Sequence, residues 1–300
     1  MGPRADCINR TGRVAVSPFA ANIAKSFGNG WSMGLGLDPA TALRKFGQLA
    51  DDAVPLGEAA LALAGFDHPT TDLSPYLTHL QQLADDTRRR LSQPASAEDA
   101  ASVLAETIAV KHGYFGDTIS YDDMQNADLI RVIDRRRGLP VALGILYLET
   151  AARAGIGGTG LNMPGHFVVA VGLASDAVVI DPFNGGVLLG PLNHPASSLR
   201  GGAPQRVSNR DVLLRLLNNM RTRAHAAKDQ ARALTIAERM VLIAPQRADL
   251  WFEVARASEA AGKLMTAAGA YQACVKLADA DNEISREAAI ALHAVKRKIN

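Results

Sequence analysis

The chain has 300 residues, enough for one large or two modest domains around a sizeable core. Hydrophobic residues at 48% and charged residues at 21% describe a globular chain and exclude a disordered or fibrous class. A net charge of +2 makes neither nucleic acid nor an acidic surface an expected partner. No stretch reaches the roughly 18 to 20 continuous apolar residues of a membrane span, so no membrane partner is expected. Two cysteines, Cys7 and Cys274, make no disulfide framework and point to a reducing, cytoplasmic setting.

Residues 1–36 are rich in glycine and small side chains and lack periodicity, which reads as a flexible N-terminal extension. Arg4, Arg10 and Arg13 leave a transit-like role open, and Met33 is an alternative start. A first domain is expected over 37–206. Asp38-Pro39 reads as an N-cap with proline at the first helical position, and Ser74-Pro75 as the same device. Ser96, with Asp99 three residues later, is a relative of the capping box. Helices are predicted near 39–51, 56–64, 75–92, 97–111 and 124–137, with Gly65 and Gly138 as stops and 112–117 as a loop. The runs Arg88-Arg89-Arg90 and Arg135-Arg136-Arg137 fall at helix C-termini, where cations complement the dipole.

Residues 140–154 carry Val141, Ala142, Leu143, Ile145, Leu146 and Leu148, apolar on nearly every side. Such a helix belongs in the middle of a domain. Strands are predicted at 160–163, 167–173, 177–181 and 187–189, with Ala174-Ser175-Asp176 closing an antiparallel hairpin. So little sheet among so many helices gives an α+β class. Residues 190–207, rich in Pro, Gly and Ser, read as a linker to a helical region over 208–300. There a 34-residue period relates Leu217 to Trp251, Met220 to Val254, Ala233 to Ala267, Ala237 to Tyr271 and Met240 to Cys274. That is tetratricopeptide spacing, although Arg221 and Asp279 depart from the pattern. Two such repeats and a last helix at 282–298 cannot stand alone, so docking on the first domain is expected.

The sharpest chemical feature is a site framework around the 140–154 helix. Thiol acyl-transfer enzymes place a Cys where a helix N-terminus lowers its pKa, with a His as base and an acid to orient it. Here His166 opens one strand and Asp181 closes the next, yet the helix start, Gly138-Leu139-Pro140-Val141-Ala142, has no Cys, Ser or Thr. Asn126, the Arg135 to Pro140 run, Pro164-Gly165-His166-Phe167 and the Asp181 to Gly186 run occur in an order that resembles the transglutaminase-like family of the bacterial SirB type. The resemblance implies a helix-rich, papain-like core with a small antiparallel sheet, followed by tetratricopeptide-like helices. It also implies a Cys–His–Asp triad whose His and Asp fall on His166 and Asp181. Its Cys position, about fifteen residues before the helix-ending Gly155, falls on Pro140.

Other candidates keep two readings each. His166 and Asp181 are an acid–base dyad or a residual bond that holds the hairpin. Asn126 and Arg137 bind an anionic or amide ligand, or pin neighbouring helices. Asn184 contacts a ligand, or only begins the Asn184-Gly185-Gly186 turn. His112 and His194 are further histidines that the spacing leaves open to the pocket. Gly155 to Gly160 matches G-x-G-x-x-G, but follows a helix and precedes a strand, the reverse of a dinucleotide site. The seven histidines form no metal-ligand spacing, and neither metal nor cofactor is expected. Three functions remain open: a scaffold without catalysis that binds a protein or peptide through its helical repeats, a Cys-independent hydrolase or acyl-transfer enzyme using His166, Asp181 and water, and a structural part of an assembly with a vestigial pocket.

Overall fold

The structure, a computed structural model, describes residues 38–91, 95–163, 166–172, 176–192, 205–279 and 282–299. The extension at 1–36, Pro164-Gly165, His194, Ala174-Ser175 and most of the expected linker lie outside the described residues. Asp38 caps α1 (Pro39–Phe46), its carboxylate accepting from the Thr41 amide at 3.1 Å. The helix ends earlier than predicted, and Asp51–Ala53 form a separate 3-10 turn before α2 (Leu56–Gly65). Ser74 corrects the second expected cap. It is already the first residue of α3 (Ser74–Arg90), where its amide donates to Asp72. Ser96 and Asp99 form both halves of a capping box on α4 (Ala97–Ala105). The predicted 97–111 helix widens at its end into a π turn, Glu106–Lys111.

The predicted 124–137 helix is broken into a 3-10 turn, Met124–Ala127, and α5 (Leu129–Arg135), capped by Asp128. Its stop is Arg136 in the left-handed region (φ 57°), held by Tyr114, rather than Gly138. Gly138 instead belongs to β2 (Arg137–Gly138), which pairs in parallel with β1 (Phe115–Gly116) where a loop was expected. Neither strand carries a periodic signal, because the pairing joins residues more than twenty positions apart.

Next comes α6 (Pro140–Ala154), buried continuously from Pro140 to Ala151, and Gly155 ends it in the left-handed conformation (φ 81°). Its buried Glu149 is satisfied by the Gly57 amide at 2.9 Å and Arg153 Nε at 2.6 Å. The sheet runs β6-β5-β4-β3-β7, all antiparallel: β3 (Gly158–Met163), β4 (His166–Val171), β5 (Val178–Asp181), β6 (Val187–Pro191) and β7 (Gln205–Val207). The last of these corrects the linker reading, for Gln205–Val207 form an edge strand on Gly160–Asn162. Phe167, Val169 and Ile180 join the main core with α6, while Val168, Ala170 and Val179 build a small second cluster. Helix and strand meet closely at Gly144, where a Cβ would overlap the Phe167 ring.

Five helices follow: α7 (Asn209–Ala226), α8 (Gln230–Ile243), α9 (Ala248–Ala260), α10 (Leu264–Leu277) and α11 (Glu283–Ile299). They pack onto the core. Val212, Leu213, Leu216 and Leu217 enter the same core as α6, and Asn209 donates to the Asp52 and Val54 carbonyls. Of the periodic residues, all are buried except Trp251, which is half-buried and donates to the Pro245 carbonyl. Cys274 is fully buried, and burial pushes its thiol pKa up. No helix among the described residues is long and apolar enough to cross a membrane.

Candidate functional site

The β-ladder positions the two sharpest residues. Val169 pairs with Ile180 and Val171 with Val178, so His166 lies diagonally ahead of the β5 end where Asp181 stands. His166 Nε2 is 2.9 Å from Asp181 Oδ2. The carboxylate is held in turn. Its Oδ1 accepts from the Phe183 amide at 3.0 Å and the Asn184 amide at 3.3 Å, and Asn184 Nδ2 donates to Oδ2 at 2.7 Å. The Asp181 carbonyl closes the turn by accepting from the Gly186 amide at 2.7 Å. Asn184 thus belongs to the Asp181 environment, as a support for the carboxylate.

Electrostatics follow from this geometry. The hydrogen bond to Asp181 raises the His166 pKa, against burial and the nearby Arg215 charge. Burial alone would raise Asp181, but hydrogen bonds from His166 and Asn184 outweigh it and hold the carboxyl below its ordinary value. About a third of the His166 side chain is exposed, at 32%, against 7% for Asp181. The imidazole is therefore oriented and reachable.

The turn after Asp181 lies against the approach to α6. Gly116 donates to the Phe183 carbonyl at 2.8 Å, Gly116 pairs with Gly138, and α6 begins two residues later. At that start Leu139, Pro140, Val141 and Ala142 are all buried, and Pro140 has no amide hydrogen to offer. Neither thiol nor hydroxyl stands there. Further along the helix, the buried Tyr147 hydroxyl has no hydrogen-bond partner among the described residues and lies against Gly186.

Asn126 and Arg137 are placed outside the His166–Asp181–Asn184 cluster. Asn126 is fully buried, donating to the Ser120 carbonyl at 2.6 Å and accepting from Arg135 at 2.9 Å, while its carbonyl holds the Leu139 amide. It pins the chain that enters α6. Arg137 is exposed, donates to the Gly113 carbonyl and stacks over Phe115. His112 faces Asp86 at 2.7 Å and packs edge-on to His79, in a separate cluster with Tyr114 and Arg136. Among the described residues no group of His, Cys, Asp and Glu could hold a metal ion.

One arginine and an apolar rim near the site carry no clear mark in the sequence. Arg215 donates to the His166 carbonyl at 3.0 Å and stacks on Phe167, so α7 fixes the start of β4. Its faint sign is an arginine inside the otherwise apolar Val212 to Leu217 run. Around the Asp181 turn stand Phe115, Tyr121, Val187 and Leu188, all exposed, with Tyr121 edge-on to Phe183. Phe115 and Tyr121 reach this turn from more than sixty positions away, so no local pattern marks them as its neighbours.

A profile of the transglutaminase-like superfamily matches residues 74–218, which hold this whole arrangement. A UPF0162 protein of Xylella fastidiosa strain Temecula1 is 30% identical over 210 residues, covering 66% of this chain and 74% of that protein. The chain belongs to the UPF0162 family and carries a transglutaminase-like domain. UPF0162 proteins of Pseudomonas aeruginosa (30% identical; 66% of this chain, 75% of the relative) and Vibrio cholerae (28%; 46% and 51%) are also similar. No solved structure matches the chain. In this UPF0162 protein the oriented imidazole can exchange protons and accept or donate one hydrogen bond, but the helix start beside the domain's acidic turn supplies no attacking atom.

Proposed function

We propose that this protein is a SirB-type, catalytically degenerate member of its family that binds a protein or peptide. The observation that carries this reading is the buried Leu139-Pro140-Val141-Ala142 helix start, where a thiol nucleophile would need to stand. Cys274 is buried in the helical region, and Cys7 is remote in sequence from the helix start. What persists is recognition surface. The exposed Phe115, Tyr121, Val187 and Leu188 form an apolar rim by the Asp181 turn. On the tetratricopeptide-like helices, a groove of about 430 Å³ is lined by Leu242, Trp251, Val254 and Ala270, with Arg239 and Glu238 at its polar side. Grooves with apolar anchors and a few charged groups suit an extended or helical peptide.

The second reading, water-based hydrolysis, draws on the exposed and oriented His166. One pair of variants separates the two. The scaffold reading expects His166→Ala to keep peptide binding, measured on a peptide array with the full chain, and Leu242→Glu in the groove to lose it. It also expects no turnover of ester or glutamine-peptide substrates by the unaltered chain. Turnover that disappears in His166→Ala but survives in Leu242→Glu would replace the scaffold with the hydrolase. Removing 208–300 is no test, because α7 shares the core of α6.

A further inference from the structure

A second cavity stands on elements that carry neither His166 nor Asp181. It measures about 590 Å³, within the range of small-ligand pockets, and lies between α1, α2 and the segment leading into α3. Pro39, Ala42, Phe46, Ala62, Phe66 and Leu73 give it apolar walls. Its charged lining is of one sign: Asp38 and Asp72 toward α1 and α3, and Glu58 from α2, with His68 beside them. No Lys or Arg is among the described residues that line it.

Glu58 differs from the other two carboxylates. Asp38 accepts from Thr41 as the cap of α1, and Asp72 accepts from the Ser74 amide just ahead of α3. Glu58 is only 8% exposed yet takes no hydrogen bond among the described residues. Its cationic neighbour is Arg153, whose Nη2 forms a long ion pair with it at 3.5 Å. Arg153 is directed elsewhere, with Nε on Glu149 at 2.6 Å and Nη1 toward Gln81 at 3.3 Å. Two buried carboxylates thus face one guanidinium, and the one with poorer geometry lines the cavity. Burial and then the Glu149 charge push Glu58 up to about 7. Arg239 stacks on Phe66 at the cavity wall, but both its terminal nitrogens are bound to Asp67.

We propose that this cavity binds a primary ammonium group carried on an apolar chain, with Glu58 as its counter-ion. The walls take the alkyl part, as they are hydrocarbon and aromatic. The ammonium supplies close donors to Glu58, whose ion pair with Arg153 is long at 3.5 Å and shared with Glu149, and a charge-assisted bond in a shielded site is the strong kind. His68 is held by Asp128 at 2.7 Å, so it does not compete for Glu58. Such an ammonium belongs either to a free alkylamine or to the side chain of a lysine in a partner. The proposal is independent of the scaffold reading, since none of its residues belongs to that groove except Phe66.

The test is calorimetric titration of the full chain at pH 8 with n-hexylamine, n-hexanol and Nα-acetyl-lysine methylamide. Hexylamine is expected to bind at least about tenfold more tightly than hexanol, the margin of one charge-assisted bond. In Glu58→Gln that preference should vanish while hexanol binding stays. Lysine methylamide binding as tightly as hexylamine identifies a protein lysine as the source, and hexylamine binding alone identifies a free amine. Equal affinity for hexylamine and hexanol in the unaltered chain, absence of binding by either amine, or an amine preference that survives Glu58→Gln would overturn the site. The ligand comparison uses the native chain, so it stands even if the variant folds poorly.

Discussion

Asp67 holds Arg239 across the join between the core and the C-terminal helices. Their two bonds, 2.8 and 2.9 Å, are parallel and bidentate, and Arg232 adds two more at 2.6 and 2.5 Å. One carboxylate at the end of α2 therefore fixes the position of α8. Arg239 is 5% exposed, so removing Asp67 would leave a buried, unmatched guanidinium. Asp67→Ala should destabilise the chain by about 3 kcal/mol in denaturant melts, and Asp67→Asn by less. Burial opposes ionisation of Asp67, but the two guanidiniums prevail and hold its carboxyl well below the ordinary 3.8. Its contribution is present above that value and is lost as pH falls through the lower folded one. A variant as stable as the parent at neutral pH would remove this clamp from the account.

Leu146→Ala should cost about 2–5 kcal/mol, the range for a large-to-small change in a packed core. Leu146 is fully buried, and α6 turns no polar face outward over Pro140 to Ala151. Thermal denaturation reads the effect directly, and a shift of under a degree or two would contradict the placement of this helix.

The parts of this architecture that were legible are those written in local chemistry. Asp38, the Ser96–Asp99 box and Gly155 mark helix ends because capping needs only a few adjacent residues. The continuous burial of α6 follows from the pattern of apolar residues. What stayed hidden depends on partners far along the chain. Phe115–Gly116 pair with Arg137–Gly138, and Gln205–Val207 add to Gly160–Asn162, through backbone bonds that short polar sequences do not signal. Arg136 rather than Gly138 stops α5 because Tyr114 and His79 hold its side chain. At the site, the blocks containing His166 and Asp181 were readable as an ordered pair. The support from Arg215 and the apolar rim was not, because each joins segments brought together only by the fold.

The His166 imidazole should titrate above its ordinary 6.5, since the bond to Asp181 favours the protonated form. Proton NMR of the ring follows this, and Asp181→Asn should lower the value. The stability consequence has two edges. The His166 contribution is fully present below 6.5 and fades as pH rises through the raised folded value. The Asp181 contribution is present above 3.8 and fades as pH falls through its lowered one. The loss of melting temperature in His166→Ala should therefore be greatest between those two values. A ring that titrates below 6.5 in the native chain would show that Asp181 does not hold it.

Glu58→Gln should stabilise the unliganded chain at alkaline pH and scarcely alter it at pH 4. Burial, then the charge of Glu149, push Glu58 from 4.5 up to about 7, while Arg153 opposes them. A carboxyl whose folded pKa is raised stabilises the protein in its protonated form. Stability is thus lost as pH climbs from 4.5 to about 7, and the penalty is constant beyond. That shift corresponds to at most about 3 kcal/mol. Glutamine keeps the shape and removes the charge, so the variant should lack this slope between pH 4.5 and 7 and exceed the parent above it. Chemical denaturation at pH 4, 6 and 8 provides the measurement. Parallel curves for the two proteins across that range would mean that Glu58 meets no penalty for its charge, and that Arg153 neutralises it fully despite the 3.5 Å separation.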